Sequence, residues 1–204
     1  MSEGPSGVAR IEAFSDGVFA IAITLLVFGL KAPAPEVAAA EGLWRALARL
    51  WPSFVAYALS FAIIGIMWAN HHNIFRYIER ANHAFVMWNL GLLFCVGFLP
   101  FPTAVLAEYL PSPPQRTAGA VFYGATLTVT AVFFNLLWRY AAGGRRLLRP
   151  GADPELVAAV TREYRLGPPI YAMATAAAYV SVAASLTIHA ALAALYLIPN
   201  RSRP

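Results

Sequence analysis

Polar residues in this chain are gathered into short clusters, and between them lie apolar runs with no alternation of sides. A run of about 20 apolar residues matches a hydrocarbon core about 30 Å thick. The pattern therefore predicts membrane-crossing helices at about 14–30, 52–75, 85–107 and 117–138. Lys31 and the prolines at 33 and 35 close the first run, and Pro111-Ser112-Pro113-Pro114 follows the third. Between the first two, Leu43, Trp44, Leu47 and Leu50 recur at helical spacing while Arg45 and Arg49 fall elsewhere, which predicts a short amphipathic connector. Residues 139–166 form an arginine-rich polar connection in which Pro154 opens a short helix after Asp153. The last apolar stretch, 168–198, is too long for one span and too short for two full ones.

Charge arbitrates. Short cytoplasmic loops collect Lys and Arg. With the N-terminus inside and six spans, eleven of the fifteen basic residues lie on the cytoplasmic side, and Lys31, Arg45, Arg49 and Arg116 lie outside. Five spans would carry Arg201 and Arg203 outward and leave nine against six. The expectation is six helices, the last two short (168–184 and 185–198) with a turn near Ala184 to Ser185, in one membrane domain over 1–204 with both termini cytoplasmic.

Composition agrees with this picture. The 204 residues are 59% hydrophobic and 12% charged, about half the charge fraction of soluble domains. The net charge of +5 meets no basic helix or aromatic-basic module, so nucleic acid is not an expected partner. The lone cysteine, Cys95, lies inside an apolar run and leaves no internal disulfide. Glu12 and Asp16 precede the apolar core of the first run, where a cleaved signal peptide carries positive charge. Trp51, Trp88, Trp138, Tyr77 and Tyr196 fit interfacial aromatic belts.

The first span opens with Phe14-Ser15-Asp16-Gly17, and a carboxylate at the mouth of a span requires a partner. Antiparallel span two returns to the same depth near its end, bringing Trp68, Asn70, His71 and His72 level with Asp16. Imidazole, amide and indole groups supply the donors a buried carboxylate needs, and Arg10 lies one and a half turns earlier. The plain reading is a clamp that locks span one to span two. A proton relay or metal site is the sharper one. Adjacent histidines point about 100° apart on a helix and there is no thiolate, so no metal is expected. Asn82, His83 and Asn89 open span three and read as interfacial or interhelical bonds, and Asn135 and His189 as bonds to neighbouring helices.

Beyond Asp16, offsets of three, four and seven place Ile21, Thr24, Leu25 and Phe28 on one narrow face. By periodicity alone such a face is lipid-facing or packed as readily as it is a pathway. The run from Arg10 through Phe14-Ser15-Asp16-Gly17 to Ile21 and Thr24 resembles the signature of the transmembrane protein 175 family of potassium channels. Trp68-Ala-Asn70-His71-His72-Asn-Ile-Phe75 and Phe98-Leu-Pro100-Phe-Pro102-Thr103 are similar to further family segments in order, while residues 139–204 agree mainly in layout.

That resemblance implies an all-α six-span subunit in the prokaryotic single-repeat form, four copies of which surround a pore lined by the first helix. Ile21 then stands at the tightest point, with Thr24 a turn outward and Leu25 and Phe28 beyond. Arg10, Phe14, Ser15 and Asp16 then join Trp68, Asn70, His71 and His72 in a network between helices one and two. It implies a leak-like channel in the inner (plasma) membrane, with permeant potassium, no cofactor, and a hydrophobic isoleucine constriction in place of a carbonyl filter. Partners are membrane lipid, potassium ions and further copies of the chain. Two rival readings fit the same pattern of apolar spans. A secondary transporter should carry internal repeats and broken helices. A membrane metalloenzyme should gather several ligands at one depth.

Overall fold

The computed structural model describes residues 7–197, with side chains described through residue 195, and among them the regular secondary structure is helical apart from one isolated antiparallel bridge, Ile78 to Leu148. The expectations for Tyr196, Arg201, Arg203 and the last residue of span six fall outside the described side chains.

Helix α1 (Gly7–Leu25) tightens into a 3₁₀ turn over Leu26–Gly29. Two short helices follow, α2 (Pro35–Glu41) and α3 (Leu43–Arg49), joined at Gly42, whose φ of +88° suits a residue without a Cβ. Arg49 of α3 pairs with Glu41 of α2 at 2.7 Å. Helix α4 (Trp51–Tyr77) is the second long helix. The third comes in two pieces, α5 (His83–Phe98) and α6 (Pro100–Tyr109). Pro100 lacks an N–H for the preceding turn, so the segment breaks there while Leu99 keeps helical angles. Helix α7 (Arg116–Ala142) is the fourth. These four segments are long and apolar enough to cross a membrane.

The polar connection after α7 is built rather than loose. A turn at Gly143–Arg145, with Gly144 at φ +62°, sends the chain back beneath α4. There Leu147 and Leu148 are buried, Leu147 accepts from the Glu79 amide at 2.8 Å, and the Arg149 amide donates to Tyr77 at 2.9 Å. Asp153 then caps α8 through the Glu155 amide at 2.8 Å, as the Asp-Pro pair predicts.

Helix α8 differs from expectation in length. It runs Pro154–Ala176, straight through Pro168 and Pro169. Packing against α7 holds it: Trp138 donates to Thr161 at 2.8 Å, and Gly124 leaves room for Thr175, whose Oγ1 lies 2.5 Å from where a Cβ on that glycine would stand. Trp138 is consequently buried in the bundle and not part of an interfacial belt. The break before α9 (Val182–Leu197) also moves, to a 3₁₀ turn at Ala177–Tyr179 in place of Ala184 to Ser185. Ser181 caps α9 by accepting from the Ala184 amide, and buried Ser185 donates to the Ala174 carbonyl at 2.7 Å, stapling α9 to α8. The serine at 181 was the available signal.

The core lies where α4, α5, α6 and α7 meet, around Ile64, Leu92, Leu106, Tyr123 and Leu127. Ser60, Thr103 and Tyr123 join their hydroxyls at its centre, at 2.8 and 3.0 Å. Helix α1 packs between α4 and α5 through Val8, Ser15, Phe19 and Ala22, spaced as one helical face.

Candidate functional site

The polar cluster at the mouth of α1 divides into three pairings rather than one. Trp68 donates its indole N–H to Asp16 Oδ1 at 2.9 Å. His72 Nδ1 meets Glu12 Oε1 at 2.9 Å, one turn earlier on α1, a contact that becomes an ion pair when the imidazole is protonated. The Trp68 and His72 rings stack, 6.3 Å apart and 23° from parallel. These two links lie at the half-exposed edge where α4 meets α1.

The third pairing is sealed. His71, Asn89 and Ser15 are each no more than 1% exposed. His71 Nε2 lies 2.9 Å from Asn89 Oδ1, Asn89 Nδ2 donates to Ser15 Oγ at 3.0 Å, and Ser15 Oγ donates to the Ile11 carbonyl at 2.8 Å. Because an amide oxygen only accepts, Nε2 carries a proton, and the donors run one way from α4 through α5 to α1. Phe75 stacks on the imidazole at 4.4 Å and Phe19 flanks it at 5.3 Å. Buried polar groups of this kind hold helices in one register inside a membrane, where each has no water to turn to.

Two residues in this arrangement were not assigned to it by sequence. Glu12 is the His72 partner, and Asn89 bridges the other two helices. The sequence marks Asn89 as an interfacial or interhelical bond, but nothing in a linear pattern states which helix it would meet. Several expected members stand apart. Arg10 is exposed, and among the described residues no ion pair joins it to Asp16. Phe14 is 58% exposed and turned away from α4. Asn70 contributes its backbone carbonyl to Tyr164 at 3.3 Å and lines a separate cavity between α4, α7 and α8. Among the described residues no group of three His, Cys, Asp or Glu gathers as metal ligands would.

The clamp fixes how α1 is turned about its own axis. With Ser15, Phe19, Ala22 and Leu26 facing the bundle, the opposite side carries Phe14, Ile21, Thr24, Leu25 and Phe28, all exposed. Ile21 is 61% and Phe28 77% exposed. Thr24 turns its hydroxyl back to the Ile21 carbonyl at 2.9 Å, so the hydroxyl is satisfied within the helix. The face is not one α-helical stripe to its end. Phe28 lies in the 3₁₀ turn, where residues three apart eclipse, so it stands over Leu25. Only 22% of the most apolar window of α1 is buried, against 39–50% in the other three long segments, although α1 sits between two of them. That leaves the bare side of α1 continuous along its whole length.

Comparison with known proteins places this chain. Residues 10–100 match the family model described as the endosomal/lysosomal potassium channel TMEM175. A potassium channel of Chamaesiphon minutus is 48% identical over 204 residues, 99% of this chain and 100% of that protein. A potassium channel of Streptomyces collinus is 41% identical over 92% of this chain and 90% of its own length. The crystal structure of a lysosomal potassium-selective channel TMEM175 homologue from Chamaesiphon minutus matches with a TM-score of 0.87 at 45% identity, covering 94% of this chain and 97% of that one. The chain belongs to the TMEM175 potassium-channel family.

Proposed function

We propose that four copies of this chain surround a central cation pathway with α1 innermost, and that potassium is the permeant ion. The observation that carries this reading is the bare face of α1. A span packed between two others should be well covered, yet among the described residues Phe14, Ile21, Thr24, Leu25 and Phe28 are left exposed along one side. Four such faces around an axis would cover one another and enclose a narrow lumen.

In that lumen Ile21 forms the constriction. A ring of isoleucines offers an ion no ligand, so passage requires a wetted state or partial loss of the hydration shell, and sodium, which holds water more tightly than potassium, is hindered more. Dewetting of the same ring closes the path. No long segment carries an arginine ladder, which favours a leak-like conductance over a voltage-gated one. Thr24 hydroxyls stand one turn outward. Belonging to a family of channels, the chain is not an enzyme, and the cluster around His71 serves as the clamp that turns α1. The excess of arginine at one end of the helices supports six spans per subunit with cytoplasmic termini, in the cell's inner membrane, with no cofactor.

The test uses cysteine accessibility in liposomes under a potassium gradient. Cys95 is buried, so the background is low. Ile21→Cys and Thr24→Cys are expected to react with water-soluble thiol reagents and to lose flux as they do. Labelling confined to membrane-partitioning reagents, with flux intact, overturns the pore assignment of α1.

A further inference from the structure

At the end of the bundle opposite the Asp16 cluster, a recess of about 810 Å³ opens between the start of α4, the α6–α7 turn and the break before α9. Its lining includes one charged side chain, Arg116, and no acid. The guanidinium has no hydrogen bond or ion pair among the described residues. The nearby α2–α3 pair shows the alternative, since Arg49 there is matched by Glu41.

The rest of the wall mixes the hydroxyls of Thr117, Ser181 and Thr187 with apolar side chains. Val180, just after the 3₁₀ turn, is 92% exposed, Val55 of α4 is also exposed, and partly buried Leu186 continues the surface down α9. Trp51 (57% exposed) and Tyr179 (74% exposed) flank the opening, side chains that favour the headgroup level of a bilayer. The site lies where the chain turns from α8 into α9, at the break beginning at Ala177–Tyr179, beside the start of α4 and the α6–α7 turn.

We infer that this recess binds an anionic phospholipid, with its phosphate on Arg116 and an acyl chain along Val55, Val180 and Leu186. A free phosphate would use only the arginine, and a zwitterionic lipid would bring its phosphate together with a cation that no acid in the lining balances. An anionic headgroup on a chain uses both the arginine and the apolar side chains, and arginine is suited to phosphate through paired N–H donors. This inference rests on the chain crossing a membrane and not on the pore assignment of α1.

The experiment uses the purified assembly in detergent and follows thermal unfolding, with retained lipid counted by native mass spectrometry. Phosphatidylglycerol is compared with phosphatidylcholine of the same chains, and with glycerol 3-phosphate and inorganic phosphate. Phosphatidylglycerol is expected to raise the melting temperature and remain bound where phosphatidylcholine does not. Arg116→Gln should weaken it roughly fivefold to tenfold, the effect of one charge-assisted contact near a membrane surface, and Arg116→Lys should restore part of the preference. Equal effects of the two lipids, an unchanged preference in Arg116→Gln, or full stabilisation by inorganic phosphate each overturn the site. A change in subunit number with Arg116→Gln, without loss of lipid, assigns the recess to a neighbouring copy instead and also overturns it.

Discussion

His71 on α4 and Asn89 on α5 share a hydrogen bond of 2.9 Å with both side chains closed off from solvent. Through Asn89 the link continues to Ser15, so three helices are held by one amide that uses its acceptor on one side and its donor on the other. Removing that amide leaves the buried His71 ring unpaired, while Ser15 keeps its bond to the Ile11 carbonyl. Asn89→Leu is therefore expected to lower stability by about 1–3 kcal/mol, toward the lower end of buried-group penalties because interhelical bonds in membranes are modest. Thermal unfolding in detergent measures it, and an unchanged midpoint removes the bridge from the account.

The edge contact is weaker. Trp68 is 47% exposed, so water competes for its bond to Asp16. Trp68→Phe keeps the ring and removes the donor, and should cost about 0.5–1.5 kcal/mol. The same melting assay compares the two. A Trp68→Phe effect larger than that of Asn89→Leu would make the half-exposed edge the principal clamp.

Ile21→Asn places an amide where the lumen is proposed to be driest. Sodium flux in liposomes should rise several-fold relative to potassium flux, because a wetted ring no longer demands dehydration. An unchanged ion preference takes Ile21 out of the constriction.

Gly124→Ala tests the α7–α8 contact. The added methyl meets Thr175 Oγ1 at 2.5 Å, and that hydroxyl is already engaged by the Tyr171 carbonyl at 2.7 Å. Overpacking of this kind costs about 1–3 kcal/mol. The double variant with Thr175→Ala should recover most of the loss in the same unfolding measurement, and failure to recover locates the strain elsewhere.

Much of this was legible in one dimension. Apolar run length set the four long helices, Asp153-Pro154 marked the start of α8, and the depth shared by Asp16 and the 68–72 cluster followed from antiparallel spans. The spacing of Ile21, Thr24 and Leu25 already defined a face, because helical periodicity is local. What the chain's pattern lacks is azimuth. It cannot say that α4 and α5 flank α1 on different sides, so it pools Trp68, His71 and His72 around one carboxylate. In the fold Trp68 takes Asp16, His72 takes Glu12 and His71 turns inward to Asn89. The break before α9 was decided the same way. Its alanine-rich surroundings hold no glycine or proline, and it is fixed by the Ser181 cap and by Ser185 reaching across to α8, a contact between residues eleven apart that exists only once the two helices are side by side.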